Sequence, residues 1–155
     1  MRRLMFFFVL GCIAAVVAAG AAPAKSGHGV MCVLHAKLSA KNETTGSTST
    51  AKGHTLIKVR NDGTIEYKTH ILNKNNETFF AGHIHKAPVG VAGGIVVPLF
   101  VAPAPATSAR HIKQSGTATP NAGTTGADLC NNPSAYYVNY HTTAFMGGAI
   151  RGQLH

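Results

Sequence analysis

The sequence predicts an all-β domain, an antiparallel sandwich or barrel. Three observations carry this. Helical periodicity is nearly absent along the 155 residues. Short apolar or alternating runs recur with turn residues between them. No regular exchange of strands with helical segments appears, which excludes a doubly wound α/β sheet.

The elements follow in order. Residues 33–38 form a first strand, and 41–52, rich in Thr, Ser, Gly and Asn, read as a loop or a Thr-rich edge. A strand over 56–60 meets Asn61-Asp62-Gly63, a strong hairpin signal. The next strand alternates, with Ile65, Tyr67, Thr69 and Ile71 on one face and Glu66, Lys68 and His70 on the other. After a polar turn at 74–77 comes an extended run over 79–85, then a glycine-rich loop at 90–94. Residues 95–101 are apolar and β-branched and read as a buried strand. The stretch 102–127 has no period and reads mostly as loop. A helical turn at 128–132 is stopped by Pro133, an aromatic strand covers 136–142, and Gly147-Gly148 turns the chain into a last strand at 149–154.

The N-terminus reads as a secretory signal over residues 1–24. Arg2 and Arg3 precede an apolar stretch from Met5 to Val17, and small residues follow, with cleavage after Ala21 or Ala24. The alternative is an uncleaved anchor, for which the apolar stretch is short. Cleavage removes Cys12 and leaves Cys32 and Cys130. An even pair in a secreted chain reads as one disulfide, the alternative being two free thiols. Two sequons, Asn42-Glu43-Thr44 and Asn76-Glu77-Thr78, are glycosylation acceptors in a eukaryotic secretory pathway.

Fourteen Lys plus Arg against five Asp plus Glu give a net charge of +9. That balance attracts acidic glycans or anionic surfaces. The lysines are scattered along the chain without a dense run, and no arginine–aromatic interleaving points to nucleic acid. No pair of carboxylates fits glycosidase chemistry: Asp62 lies in a turn, Glu66 on a solvent face, Glu43 and Glu77 in sequons, and Asp128 at a cap. There is no dinucleotide fingerprint, Walker loop or Gly-x-Ser-x-Gly elbow.

His83-Ile84-His85 is the sharpest chemical feature. Residues two apart on a strand share a face, so both imidazoles project together while Ile84 points to the core. A third ligand is at hand in His141, which shares a face with Tyr137 and Asn139. Three neutral imidazoles suit copper or zinc, with a fourth position left open. The alternative is a set of hydrogen-bonded structural histidines. His70 is a weaker fourth candidate on a polar face, and His28, His35, His54, His111 and His155 have no partner spacing. Arg151 either grips an anion or serves the structure by bonding nearby carbonyls.

Two segments carry a family resemblance. Ala81-Gly82-His83-Ile84-His85-Lys86-Ala87-Pro88-Val89-Gly90, running on to Gly94-Ile95-Val96-Val97-Pro98-Leu99, resembles the first signature of the CHRD (chordin-type) domain. Tyr137 to Thr142 followed by Gly147 to Leu154 resembles the second, and the likeness covers residues 33–154. The resemblance implies an extracellular, immunoglobulin-like or barrel-like β domain. The His-x-His strand is also similar to that of the Greek-key copper/zinc superoxide dismutases, by analogy alone. The chain departs from the family pattern at Ala144-Phe145-Met146, at Tyr140 and at Ala149, where an acid is common.

The reading is therefore a secreted CHRD module that binds copper or zinc through His83, His85 and His141, with catalysis left open. The alternative is a non-enzymatic module for an extracellular protein or acidic glycan, or a self-associating matrix component. No nucleic-acid partner and no membrane span after signal cleavage are expected.

Overall fold

The computed structural model describes residues 29–101 and 106–155. The signal segment 1–24, with Cys12, and also His28 lie outside the described residues. Eight strands form one antiparallel sheet: β1 (Val30–Ser39), β2 (Lys52–Arg60), β3 (Ile65–Leu72), β4 (Phe79–Lys86), β5 (Gly94–Val101), β6 (His111–Ala118), β7 (Tyr136–Thr142) and β8 (Ile150–Gln153). Their order is β5-β4-β7-β8-β1-β2-β3-β6. The edge strands β5 and β6 approach each other, so the sheet curls into a nearly closed barrel. The Asn121 N–H donates to the Val96 carbonyl (2.8 Å) and its side chain to that of Ile95 (3.2 Å), tying the chain beyond β6 back to β5. Among the described residues no helix is long and apolar enough to cross a membrane.

Alternation explains the interior. Leu34, Ala36 and Leu38 on β1, Ile57 and Val59 on β2, Ile65, Tyr67 and Ile71 on β3, and Val138 and Tyr140 on β7 all point inward. Two threonines join them, and they satisfy each other: Thr55 and Thr69 hydroxyls stand 2.8 Å apart, and the Tyr140 hydroxyl donates to Thr69 at 2.8 Å. None of these three buried hydroxyls is left without a partner, which matters because an unpaired one costs about 1–3 kcal/mol. The Asn61–Gly63 turn closes β2 onto β3, with the Arg60 N–H donating to the Thr64 carbonyl at 2.8 Å.

One short helix, α1 (Gly126–Asn131), closes a barrel end and buries Leu129. A capping box starts it: Thr125 accepts from the Asp128 N–H while Asp128 accepts from the Thr125 N–H. Cys130 on this helix is bonded to Cys32 on β1, across a sequence separation of 98. Closing so long a loop contributes about 4–5 kcal/mol in the chain-entropy description.

Three expectations are corrected. The stretch 102–127 is not loop throughout, because it contains β6. That strand buries only Ile112 among polar residues, so it carries no apolar pattern, and its ladder to β3 holds it. Residues 95–101 are not a buried strand. They form the edge strand β5, with Ile95 46% and Val101 54% exposed. Pro98 has no N–H for a central ladder and suits an edge. Finally, β1 and β2 extend beyond 33–38 and 56–60, because β1 residues up to Ser39 pair with β2 back to Lys52.

Candidate metal centre

β4 and β7 run side by side in the register Ala81–His141, His83–Asn139 and His85–Tyr137. The residues of these pairs that face away from the core form one patch on the barrel's outer wall. Two irregularities in the β4–β5 pairing, between Gly82 and His83 and between Ile84 and His85, flank the histidines. Such bulges re-aim side chains locally. Ile84 is fully buried between the two imidazoles' positions, anchoring the strand.

The structure brings together His83, His85 and His141, with one ligand atom of each within 4.8 Å of the others. All three residues are buried. His83 Nδ1 lies 3.2 Å from His141 Nε2. A tetrahedral ion with bonds of about 2.0–2.1 Å needs its nitrogens roughly 3.3 Å apart, so this pair already stands at ligand spacing.

The tautomers follow from carbonyl partners. His85 Nδ1 is 2.9 Å from the Gly93 carbonyl, and His141 Nδ1 is 2.9 Å from the Met146 carbonyl. A carbonyl only accepts, so each Nδ1 carries the hydrogen and each Nε2 presents a lone pair. His141 Nε2 then accepts from His83 Nδ1. His85 Nε2 is buried with no hydrogen-bond partner. An orphaned buried lone pair beside two further imidazoles fits a cation.

Burial first, and then the neighbouring His141 and His85, push His83 down to about 4. Burial also lowers His85 and His141, against the Gly93 and Met146 carbonyls, which raise them. The rings are therefore held neutral, as metal ligands must be.

A supporting layer holds the Gly93 loop. His85 stacks on Tyr137 at 4.9 Å, and the Tyr137 hydroxyl accepts from the Gly93 N–H at 3.1 Å. The guanidinium of Arg151, on β8, lies 3.3 Å over the same Tyr137 ring. It donates to the carbonyls of Val91 (2.8 Å) and Pro88 (2.9 Å). Arg151 is 2% exposed, and its two loop carbonyls and the Tyr137 face occupy the guanidinium in a structural role. Gly93 is required at its place, because a Cβ there would run into the Lys86 carbonyl.

On the other side lies a group that sequence reasoning missed. Glu43 and Asn139 converge under Gly148, where a Cβ would stand 2.6 Å from the Asn139 amide nitrogen and 2.8 Å from Glu43 Oε1. Gly148 has φ +136°, which also favours glycine. Glu43 Oε1 and Asn139 Oδ1 are both buried acceptors without a donor. Burial raises the Glu43 carboxyl to about 7, opposed by the Arg151 charge. Only the fold brings residue 43 beside residue 148, so no local motif could have marked it.

The other candidates lie elsewhere. His70 is exposed beside His54, at 5.2 Å between rings, and does not join the triad. His35 stands near His155 at 6.3 Å. Asn42 donates its amide to the carbonyls of Arg151 (2.8 Å) and Lys37 (3.3 Å), whereas Asn76 is exposed in a turn at φ 52°.

The family model for the CHRD domain matches residues 34–154. The chain belongs to the CHRD domain family. No curated protein matches it, and no solved structure does. Both CHRD-like segments quoted above meet in this patch: the first supplies His83, His85 and the Gly93 loop, the second His141, Tyr137 and Arg151.

Proposed function

We propose that this CHRD domain is a secreted metal-binding module whose ligands are His83, His85 and His141, with copper preferred and zinc second. The observation that carries this reading is the orphaned His85 Nε2 facing two further buried, neutral imidazoles. Copper(II) stands above zinc in affinity for a nitrogen site of given geometry, which sets the order. Secretion is supported by the extracellular character of the family and by the Cys32–Cys130 disulfide, which suits an oxidising compartment.

The chain's own residues do the preparatory work. Gly93 and Met146 carbonyls hold protons on the Nδ1 atoms of His85 and His141, so both Nε2 atoms face the centre. To join the set through Nδ1, His83 would exchange its hydrogen bond to His141 for the other tautomer, its proton sitting on Nε2. A bound copper ion would supply an open coordination position and, in its redox couple, one-electron chemistry. The loops bearing the two carbonyls also carry the exposed Val89, Val91 and Met146.

The test is metal content and copper titration of the secreted protein beside a His83→Ala/His85→Ala variant. The expected result is close to one equivalent, lost in the variant while the fold and disulfide persist. No tight metal in the parent protein, or equal binding in both, overturns the reading.

A further inference from the structure

The lysines look scattered in sequence, but several of them gather on one face of the barrel. Strand pairing sets Lys37, His54, His70 and Lys113 side by side across β1, β2, β3 and β6. With strands about 4.8 Å apart, this row spans roughly 14 Å. All four are exposed. Rows two residues away on the same face add Lys52 and His111 on one side and His35 and Lys68 on the other, again all exposed. A groove of about 340 Å³ runs between the Lys52–His54 and His111–Lys113 segments, over His70. Lys58 lies on the same face, so five of the nine lysines share it. The acid of these rows, Glu66, is already paired with Arg60 at 2.6 Å.

We infer that the outer face of β1-β2-β3-β6 is a binding site for a linear acidic polysaccharide bearing sulfate or carboxylate groups. Charge complementarity identifies the ligand. Regularly spaced ammonium and imidazole groups on a broad sheet match a polymer that presents an anion at every repeat. The chemistry disfavours other polyanions. The face carries no exposed Phe, Tyr or Trp on which bases would stack, and its one arginine is engaged by Glu66. Leu56 and Leu72 are half-buried within the rows, and the exposed apolar side chains of β1, Met31 (43%) and Val33 (45%), lie towards its start, away from the Lys52–Lys113 groove, so the cationic centre carries no protruding apolar anchor for a lipid surface. This site shares no strand with the three histidines of β4 and β7, and it stands or falls independently of the metal.

The experiment measures affinity of the whole secreted protein for heparin, for polygalacturonate, for neutral dextran and for duplex DNA over a salt series. Two variants carry equal charge loss: Lys37→Gln/Lys52→Gln/Lys113→Gln on the face, and Lys41→Gln/Lys74→Gln/Lys86→Gln off it. All six lysines are exposed, and thermal melts check that both variants fold. The expected result is salt-sensitive binding to heparin, polygalacturonate or both, none to dextran, and a loss of about tenfold or more confined to the face variant. Heparin bears both groups, so binding to polygalacturonate shows that carboxylates suffice, and binding to heparin alone shows that sulfate is required. Equal losses in the two variants, binding to neither acidic glycan, or DNA bound at least as tightly as both overturns the inference.

Discussion

Arg151 shows what a single residue does for the centre without touching it. Its two loop carbonyls and its stack on Tyr137 fix the segment whose Gly93 carbonyl orients His85. A lysine retains the charge but not the planar fork that reaches both carbonyls. Arg151→Lys is expected to fold and to lose about 10–100-fold in copper affinity, the usual effect of disturbing a ligand's supporting partner. A competition titration against a chelator reads this, and an unchanged affinity would show that the loop is held by other means. At this scale much was legible beforehand. The His-x-His spacing on a strand and the shared face of Tyr137, Asn139 and His141 follow from a period of two. The carbonyl partners do not, because backbone atoms of Gly93 and Met146 leave no mark in side-chain identity.

The element that matters most is the β4–β7 pair. Gly82 faces Tyr140 across it, and a Cβ at Gly82 would stand 2.5 Å from the Tyr140 ring. Tyr140 cannot retreat, being fully buried and bonded to Thr69. Gly82→Ala therefore overpacks the barrel wall and is expected to lose about 1–3 kcal/mol in urea unfolding, with His83 displaced. An unaltered midpoint would mean that the wall yields freely. The strands legible in sequence were those with an inward apolar face, such as 65–72, where Ile65, Tyr67 and Ile71 alternate with exposed Lys68 and His70. β6 was illegible because Ile112 alone marks its inner face, and the edge position of β5 depends on neighbours distant in the chain. The cationic rows were hidden for the same reason, since Lys37 and Lys113 become neighbours of one line only through three strand pairings.

At the scale of the whole molecule, two sets of buried groups give stability opposite pH dependences. The three histidines titrate lower in the fold than in the unfolded chain. As pH falls from about 6.5 towards 4, the unfolded chain takes up their protons first, so their contribution, complete above that window, is lost through it. Glu43 runs the other way. Its carboxyl is raised from 4.5 to about 7, so the fold holds a proton that the unfolded chain has released, and that contribution fades as pH rises through this range. Glu43→Gln removes the second effect. It is expected to raise the melting temperature of the metal-free protein at pH 8 relative to the parent, with a smaller gain or none at pH 5. A gain of equal size at both pH values would contradict the assignment.

The central claim is that three histidines from two neighbouring strands form one ligand set. A crystal of the copper-loaded protein, measured at the copper absorption edge, tests it most directly. The account predicts one strong anomalous peak about 2.0–2.1 Å from a nitrogen of each of His83, His85 and His141. A peak at the exposed pair of His54 and His70 with none at the triad, or no ordered peak at all, would contradict it.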